Sequence, residues 1–307
     1  MKSLASDSLR RLTAFFFVVV LILLFAVPSA LPFDKEFGKL AFPESGYNED
    51  IALSYITISA CGTGYGLLPT WNEEAQRPEW EWGLGVWQAG GSGFVVRGNY
   101  VITAAHVVVP EVVTIKTGSA TYWQVLMRQL DSRMIYAASW GRQGPPLDVV
   151  YINEEQDVAL LKFRHPRIPF KESPIRLSFT VTVVPMPFGF VKLDAIGVGD
   201  AICMIVHKRD SESGNITWTY ELRRGKVRDS RPSVPEGYEW ILPVFSMSDF
   251  TMDLEVIPGD SGSAVIAFDR GEPVIIGVAR ALLNHPSEHW SYAARIDVLV
   301  PFLWAAR

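Results

Sequence analysis

The chain contains 307 residues, of which 49% are hydrophobic, 12% aromatic and 20% charged. This composition is typical of a folded globular protein with a sizeable core and excludes a disordered chain. The net charge of −5 and the lack of any long run of lysine or arginine argue against a nucleic-acid surface, so we expect no nucleic-acid partner.

Residues 12–33 carry no charge over 22 positions, a length that can span a bilayer as a helix. Basic residues precede this segment and acidic residues follow it. The positive-inside rule therefore places the N-terminus in the cytoplasm and everything after residue 34 in the periplasm or outside the cell. Residues 1–33 are interpreted as a membrane anchor, or as a signal segment cut after Ala30 that would release an exported soluble form. Pro28 disfavours that cut, which favours a retained anchor.

The next segments predict a tether, a first strand and an irregular insertion. Residues 34–50 are polar and contain glycine, proline and several acids, which suits a linker. β-Branched and aromatic residues over 51–60 predict a first strand. From 61 to 91, glycine, proline and an acidic tryptophan cluster interrupt the pattern and predict an insertion loop. We expect its tryptophans to pack the loop onto the domain, and an exposed binding patch is the alternative.

Short β-prone runs separated by Gly, Pro, Asn or Asp then follow. Their length and spacing are typical of an all-β barrel protein. The first set covers residues 93–97, 100–104, 112–116, 121–128, 134–138, 148–153 and 158–163. The second set covers residues 177–184, 200–207, 217–226, 239–245, 263–268, 273–279 and 291–296. The sequence thus predicts two all-β halves, 51–169 and 170–307, with a helical segment over 297–306.

Only two cysteines are present, Cys61 and Cys203, and they lack the C-x-x-C spacing of a metal site. Two residues are too few for a disulfide framework. We interpret them as separate reduced thiols, and a single long-range bridge is the alternative.

Three segments supply the side chains that a nucleophilic serine requires. They are Gly259-Asp260-Ser261-Gly262-Ser263, Thr103-Ala104-Ala105-His106, and Asp157 followed by the apolar run 158–161. A serine hydroxyl needs an imidazole as its base, and the imidazole needs a carboxylate that fixes its tautomer. Ser261, His106 and Asp157 supply one of each.

The order His106, Asp157, Ser261 is that of the chymotrypsin double barrel and differs from the orders of subtilisins and α/β-hydrolases. With the three motifs, it makes the chain resemble a chymotrypsin-like (trypsin-like) serine protease. Pro258-Gly259 is more narrowly similar to the bacterial Deg/HtrA-type branch, and we expect no PDZ domain.

This resemblance implies an all-β fold of two six-stranded antiparallel β-barrels with a short C-terminal helix, preceded by the N-terminal hydrophobic helix. The first barrel, residues 51–169, would carry His106 and Asp157, and the second, residues 170–307, would carry Ser261.

The resemblance also implies a role for each residue of the site. His106 is the general base, Asp157 orients its ring, and Ser261 is the nucleophile. The backbone N–H groups of Gly259 and Ser261 form the oxyanion hole, which a side chain at residue 259 would crowd. No metal or organic cofactor is implied.

Substrate selection is predicted on the same resemblance. Glu255 stands where trypsins carry the carboxylate that selects Lys or Arg. Val278, Ala279 and Arg280 stand where the family presents an edge strand to the substrate backbone. Arg280 could alternatively neutralise Glu255, and an apolar pocket is a further alternative.

Trypsin-type zymogens insert a freed Ile-Val-Gly-Gly amino terminus beside the aspartate that precedes the serine. No such segment occurs before residue 93. We therefore expect another donor for Asp260, or ordering by substrate or a partner, and activity without a prior cut. The chain is predicted to be a membrane-tethered or exported serine endopeptidase that cleaves polypeptides on the outer side of the membrane. The alternative is a catalytically silent relative that binds peptides or unfolded segments.

Overall fold

The computed structural model describes part of the chain. The described residues are 54–72, 74–75, 77–96, 99–110, 112–117, 121–130, 132–139, 142–164, 175–176, 182–183, 189–190, 197–210, 217–239, 245, 248–269, 272–284, 288–299 and 301. The predicted membrane segment 12–33 and the linker 34–50 lie outside these residues, as do most of the predicted strands 177–184 and 239–245. Within the described residues, no helix has the length and apolar character needed to cross a membrane.

The first half of the chain forms a closed six-stranded antiparallel β-barrel. Its elements are β1 (Tyr55–Asn72), β2 (Arg77–Val96), β3 (Tyr100–Thr103), the one-turn helix α1 (Ala105–Val108), β4 (Val112–Thr117), β5 (Thr121–Leu130), β6 (Met134–Ser139), β7 (Arg142–Asn153) and β8 (Val158–Phe163). The ring runs β2, β3, β8, β7, β6, β1 and closes where β1 pairs with β2. The β4–β5 hairpin joins the ring along β1.

The second half forms another closed barrel of six antiparallel strands. Its elements are the short strands β9 (Ile175–Arg176), β10 (Thr182–Val183) and β11 (Gly189–Phe190), then β12 (Ala201–Asp210), β13 (Thr217–Asp229), β14 (Asp249–Asp253), β15 (Ala264–Asp269), β16 (Glu272–Asn284) and β17 (His289–Arg295). The ring runs β16, β15, β12, β13, β14, β17 and closes where β16 pairs with β17. The two predicted six-stranded barrels are therefore confirmed.

The predicted C-terminal helix over 297–306 is described only at its start. A 3₁₀ helix, Ile296–Val298, follows β17 directly. Residues 302–307 lie outside the described part of the chain.

The predicted insertion loop over 61–91 is wrong, because β1 and β2 pair without interruption from Tyr55 and Phe94 to Asn72 and Arg77. Two pairs of glycines in these strands lie opposite one another. Gly64 pairs with Gly85, and Gly66 pairs with Gly83. At these glycines the backbone N–H and C=O groups still form hydrogen bonds with the partner strand. The glycines therefore do not end the strands.

The tryptophans of this hairpin have two different environments. Trp87 is buried, and its indole N–H donates to the Thr63 carbonyl oxygen at 3.2 Å. Trp80 and Trp82 are 42% and 43% exposed, and the Trp82 ring stacks on Tyr65 with ring centres 5.8 Å apart. Among these three, the expected packing against the barrel therefore holds for Trp87 alone.

The two barrels share a packed boundary. The larger apolar cluster fills the first barrel and continues into buried residues of the second, including Val278 and Ile296. A smaller cluster fills the second barrel. The Tyr55 hydroxyl of β1 donates to the Ala264 carbonyl oxygen of β15 at 3.3 Å. This boundary carries the three predicted catalytic residues.

Cys61 and Cys203 are both free, as predicted. Burial raises the pKa of the Cys203 thiol to about 12 and raises the pKa of Cys61 as well. The thiolate form, which is the reactive one, is consequently disfavoured in both residues.

Candidate active site

His106 and Asp157 meet because their strands are neighbours. His106 lies in α1 just after β3, Asp157 lies in the turn just before β8, and Thr103 of β3 pairs with Ala159 of β8. His106 Nδ1 and Asp157 Oδ2 are 2.7 Å apart. The backbone N–H of His106 donates to Asp157 Oδ1 at 2.8 Å. Both carboxylate oxygens therefore hold the histidine, and with Nδ1 as donor the neutral ring leaves Nε2 as the acceptor.

The backbone of Asp157 also supports this arrangement. Its φ is +51°, in the left-handed region that Asp and Asn adopt more readily than other residues with side chains. Its carbonyl oxygen accepts the N–H of Ala105 at 3.1 Å. One aspartate thus fixes the first residue of α1 through its backbone and the second, His106, through its side chain.

The Ser261 turn is held by local hydrogen bonds and by two glycines. Asp260 N–H donates to the Ile257 carbonyl at 3.0 Å, and Gly262 N–H donates to the Ala279 carbonyl at 2.8 Å. Gly262 has a φ of +93°, and a Cβ there would approach the Ser92 carbonyl oxygen to 1.9 Å. Only glycine fits that position.

The backbone conformation gives a second reason for glycine at position 259, and the crowding of the oxyanion hole by a side chain stays a prediction. A Cβ at this position would meet no atom within 4 Å, so a side chain would not clash with the surrounding protein. Its φ of +102° is the constraint, because residues with a Cβ rarely adopt it. The glycine therefore sets the direction of the peptide groups around Ser261.

Ser92 of β2 fastens this turn to the first barrel. Its N–H donates to the Ser261 carbonyl at 2.7 Å, and its hydroxyl donates to the Gly259 carbonyl at 3.0 Å. Thr103 of β3 in turn donates its hydroxyl to the Ser92 carbonyl at 2.7 Å. These bonds fix the peptide units on either side of the Ser261 N–H, one of the two predicted oxyanion-hole donors. Nothing in the local sequence marked Ser92 for this role.

The Ser261 hydroxyl has a partner in the second barrel. It donates to the Arg280 carbonyl oxygen of β16 at 3.3 Å. Within the described residues, no hydrogen bond joins it to His106. Rotation about the Cα–Cβ bond of Ser261 redirects the hydroxyl without moving the turn, and catalytic hydrogen bonds are often loose in the absence of substrate.

The sequence analysis predicted that Asp260 has a donor other than a freed amino terminus. In the structure this donor is Arg223 of β13. Arg223 Nη1 donates to Asp260 Oδ2 at 2.5 Å, and the Ile257 N–H donates to the same oxygen at 2.7 Å. Both charged residues are buried. Desolvation raises the pKa of Asp260, while the Ile257 N–H and the Arg223 guanidinium limit that rise. Arg223 supplies Asp260 with a cation from within the same barrel, and sequence reasoning did not identify it.

Glu255 lies beside Arg223 rather than Arg280. Its carboxylate is 3.9 Å from Arg223 Nε and its side chain is 51% exposed. Arg280 instead pairs with Asp157 and Asp249. The alternative in which Arg280 neutralises Glu255 is therefore wrong.

Val278 and Ala279 do not present an open edge. Both are fully buried, and Ala279 exchanges backbone hydrogen bonds of 2.8 Å with Gly262 and Ser263 of the Ser261 turn. β16 pairs with β15 only as far as Val278 but with β17 as far as Asn284. Among the described strands, the part of β16 that can receive another strand therefore follows Ala279.

These two antiparallel barrels, with a His-Asp pair on one and a Gly-Asp-Ser-Gly turn on the other, define the class of two-barrel peptidases. A family model for the trypsin-like peptidase domain matches residues 91–278, which is more than half of the chain. The chain belongs to the trypsin-like peptidase domain family, as its motifs predicted.

Several solved structures are similar to the chain. The HtrA-type protease AlgW with a decapeptide aligns with a TM-score of 0.43 and 15% identity over 84% of this chain and 65% of that one. AlgW with a tripeptide gives 0.44 and 14% over 84% and 61%. The Rv3671c protease in its inactive form gives 0.44 and 19% over 91% and 99%. The chain thus spans less than two thirds of the AlgW chains. No curated protein sequence matches it.

Proposed function

We propose that the chain is a serine endopeptidase in which Ser261, His106 and Asp157 form the catalytic triad. The observation that carries the proposal is the double contact of Asp157 with His106, at 2.7 Å to the ring and 2.8 Å to the backbone N–H. A carboxylate that holds Nδ1 leaves Nε2 to take a proton from a serine. Ser261 lies in the turn that Ser92 ties to the same barrel, by a bond of 2.7 Å to its carbonyl oxygen.

The reaction proceeds by acyl transfer. The Ser261 hydroxyl leaves the Arg280 carbonyl, passes its proton to His106 Nε2 and attacks the carbonyl carbon of the substrate. The N–H groups of Gly259 and Ser261 receive the oxyanion. His106 then returns the proton to the leaving amine, and an acyl-enzyme remains. Water hydrolyses this ester by the same proton transfers in reverse.

The substrate is a polypeptide that lies as an added strand along β16 beyond Ala279. Strand addition uses backbone hydrogen bonds and suits many sequences. Glu255, with its half-exposed carboxylate, is the candidate for selecting a basic residue before the cut. The charge asymmetry around residues 12–33 supports a site in the periplasm or outside the cell, tethered to the membrane.

A fluorophosphonate reagent tests the nucleophile on the full chain. We expect it to label the unaltered protein, to lose its target in Ser261→Ala, and to label Ser230→Ala normally, because Ser230 is exposed and outside the site. A folded protein that takes up no label contradicts the proposal.

The second candidate function is a peptide-binding module without turnover. The observation that favours it is the Ser261 hydroxyl bound to the Arg280 carbonyl rather than to His106. This function predicts saturable binding of an unstructured polypeptide, no label from fluorophosphonate, and equal binding by Ser261→Ala.

A further inference from the structure

The side chain of Arg280 lies between two buried carboxylates. Its Nε is 3.1 Å from Asp157 Oδ2, and its Nη1 forms a short ion pair with Asp249 Oδ2. The side chains of Arg280, Asp157 and Asp249 are 14%, 7% and 0% exposed. Because solvent screens such pairs little, these charges influence one another strongly.

The backbone positions Arg280 at the centre of the site. The pairing of β16 with β17 is irregular between Ala279 and Ala281, so Arg280 is the residue displaced from the regular register. Its carbonyl oxygen accepts the Ser261 hydroxyl, and its side chain reaches Asp157 of the first barrel. One residue therefore contacts both the nucleophile and the carboxylate that orients the base.

The Oδ2 atom of Asp157 has two cationic or potentially cationic neighbours. His106 Nδ1 lies at 2.7 Å and Arg280 Nε at 3.1 Å. When His106 takes a proton, two cations share one carboxylate, and the guanidinium makes that state less stable. Asp249 on the far side of Arg280 partly offsets this effect.

Few other charges face His106 within the described residues. The turn that carries Asp157 also carries Glu154 and Glu155, both exposed and therefore screened by solvent. From the second barrel, β16 contributes Arg280 and β14 contributes Asp249. Among the described residues, the Asp157–Arg280–Asp249 series is joined to the imidazole by direct contacts, beginning at Asp157.

We propose that Arg280 is a positioning residue that sets the pH range in which His106 works as a base, with Asp249 moderating its charge. The inference rests on the proposed function of His106. The Arg280 guanidinium disfavours a second cation on Asp157, and the Asp249 carboxylate reduces this effect.

Two single variants test the idea because they must act in opposite directions. Arg280→Gln removes a cation, so the midpoint of the acid limb of kcat/KM should rise by about 0.5–1 pH unit. Asp249→Asn removes an anion, so the midpoint should fall, by less because Asp249 is farther from the ring. Arg280→Lys keeps the charge and should return the midpoint to the unaltered value. A purely structural role does not give opposite shifts.

The titration of the His106 ring, followed by NMR in a Ser261→Ala background, supplies a readout that needs no turnover. Opposite shifts there support the role of Arg280, even if the protein cleaves nothing and the proposed function fails. Equal or absent shifts in both folded variants overturn it. If Arg280→Gln does not fold, the double variant with Asp249→Asn removes both buried charges together. Its midpoint should then lie above that of Asp249→Asn alone, and a midpoint at or below that value also overturns the inference.

Discussion

The Ser92 hydroxyl of the first barrel donates a 3.0 Å hydrogen bond to the Gly259 carbonyl oxygen of the second. These residues are 167 positions apart, and the bond crosses the boundary between the barrels. Since the Ser92 N–H also holds the Ser261 carbonyl, one residue fixes the two peptide units on either side of the Ser261 N–H, which the proposed mechanism uses to bind the oxyanion. The geometry of the nucleophile turn therefore depends on the first barrel as well as on its own.

Ser92→Ala should weaken catalysis more than stability. The change leaves the Gly259 carbonyl without its hydroxyl donor, at a cost of about 1 kcal/mol in the free energy of unfolding. A looser oxyanion hole should lower kcat about tenfold, the equivalent of about 1.4 kcal/mol. Steady-state kinetics and thermal unfolding measure the two effects. Ser230→Ala, at an exposed serine, is the control, and an unchanged kcat for Ser92→Ala would contradict the assigned contact.

Arg223→Met should destabilise the second barrel. It leaves the Asp260 carboxylate buried without its cation, which costs about 3–5 kcal/mol. Activity should be lost along with order in the Ser261 turn. The matched control is Arg224→Met, because the next side chain along β13 is exposed. Denaturant unfolding of both variants tests the prediction, and equal stability would refute it.

Gly259→Ala and Gly237→Ala form a matched pair. Both glycines have a positive φ, +102° and +88°, and a Cβ at either meets no atom within 4 Å. Each substitution should therefore cost a similar amount of stability, about 1–2 kcal/mol. Only Gly259→Ala should also lower kcat, by about 10²-fold, because only that residue belongs to the proposed oxyanion hole. Similar kcat values for the two variants would count against the hole.

Asp157→Asn should abolish most activity while the protein stays folded. Asn also tolerates the left-handed backbone, so the turn is retained. The amide favours the wrong tautomer of His106, and kcat should fall by about 10⁴-fold. Glu155→Gln, in the exposed part of the same turn, should be as active as the unaltered protein. Circular dichroism confirms folding of both, and a modest loss in Asp157→Asn would argue against the triad.

The pattern of β-prone residues and turn residues was sufficient to predict two all-β halves. The resemblance carried by the three motifs supplied the six-stranded barrels and the partnership of His106 with Asp157. The histidine and the aspartate stand beside the ends of two strands, and the pairing of those strands, which local sequence does not state, brings them into contact.

The supporting residues could not be predicted in the same way. Ser92, Arg223 and Arg280 lie within strands, and their partners are distant in sequence, 37 positions away for Arg223 and Asp260. Only the closed barrels bring them together. The hairpin over 61–91 was missed for a related reason, since glycine interrupts a local pattern but not a strand whose hydrogen bonds come from its partner.

The Arg223–Asp260 pair also fixes where Asp260 obtains its cation. Both residues belong to one barrel, so the pair forms when that barrel folds, and the Ser92 contacts to the same turn are added when the first barrel packs against it. A cation carried within the barrel makes the charge balance of Asp260 independent of any cut in the chain.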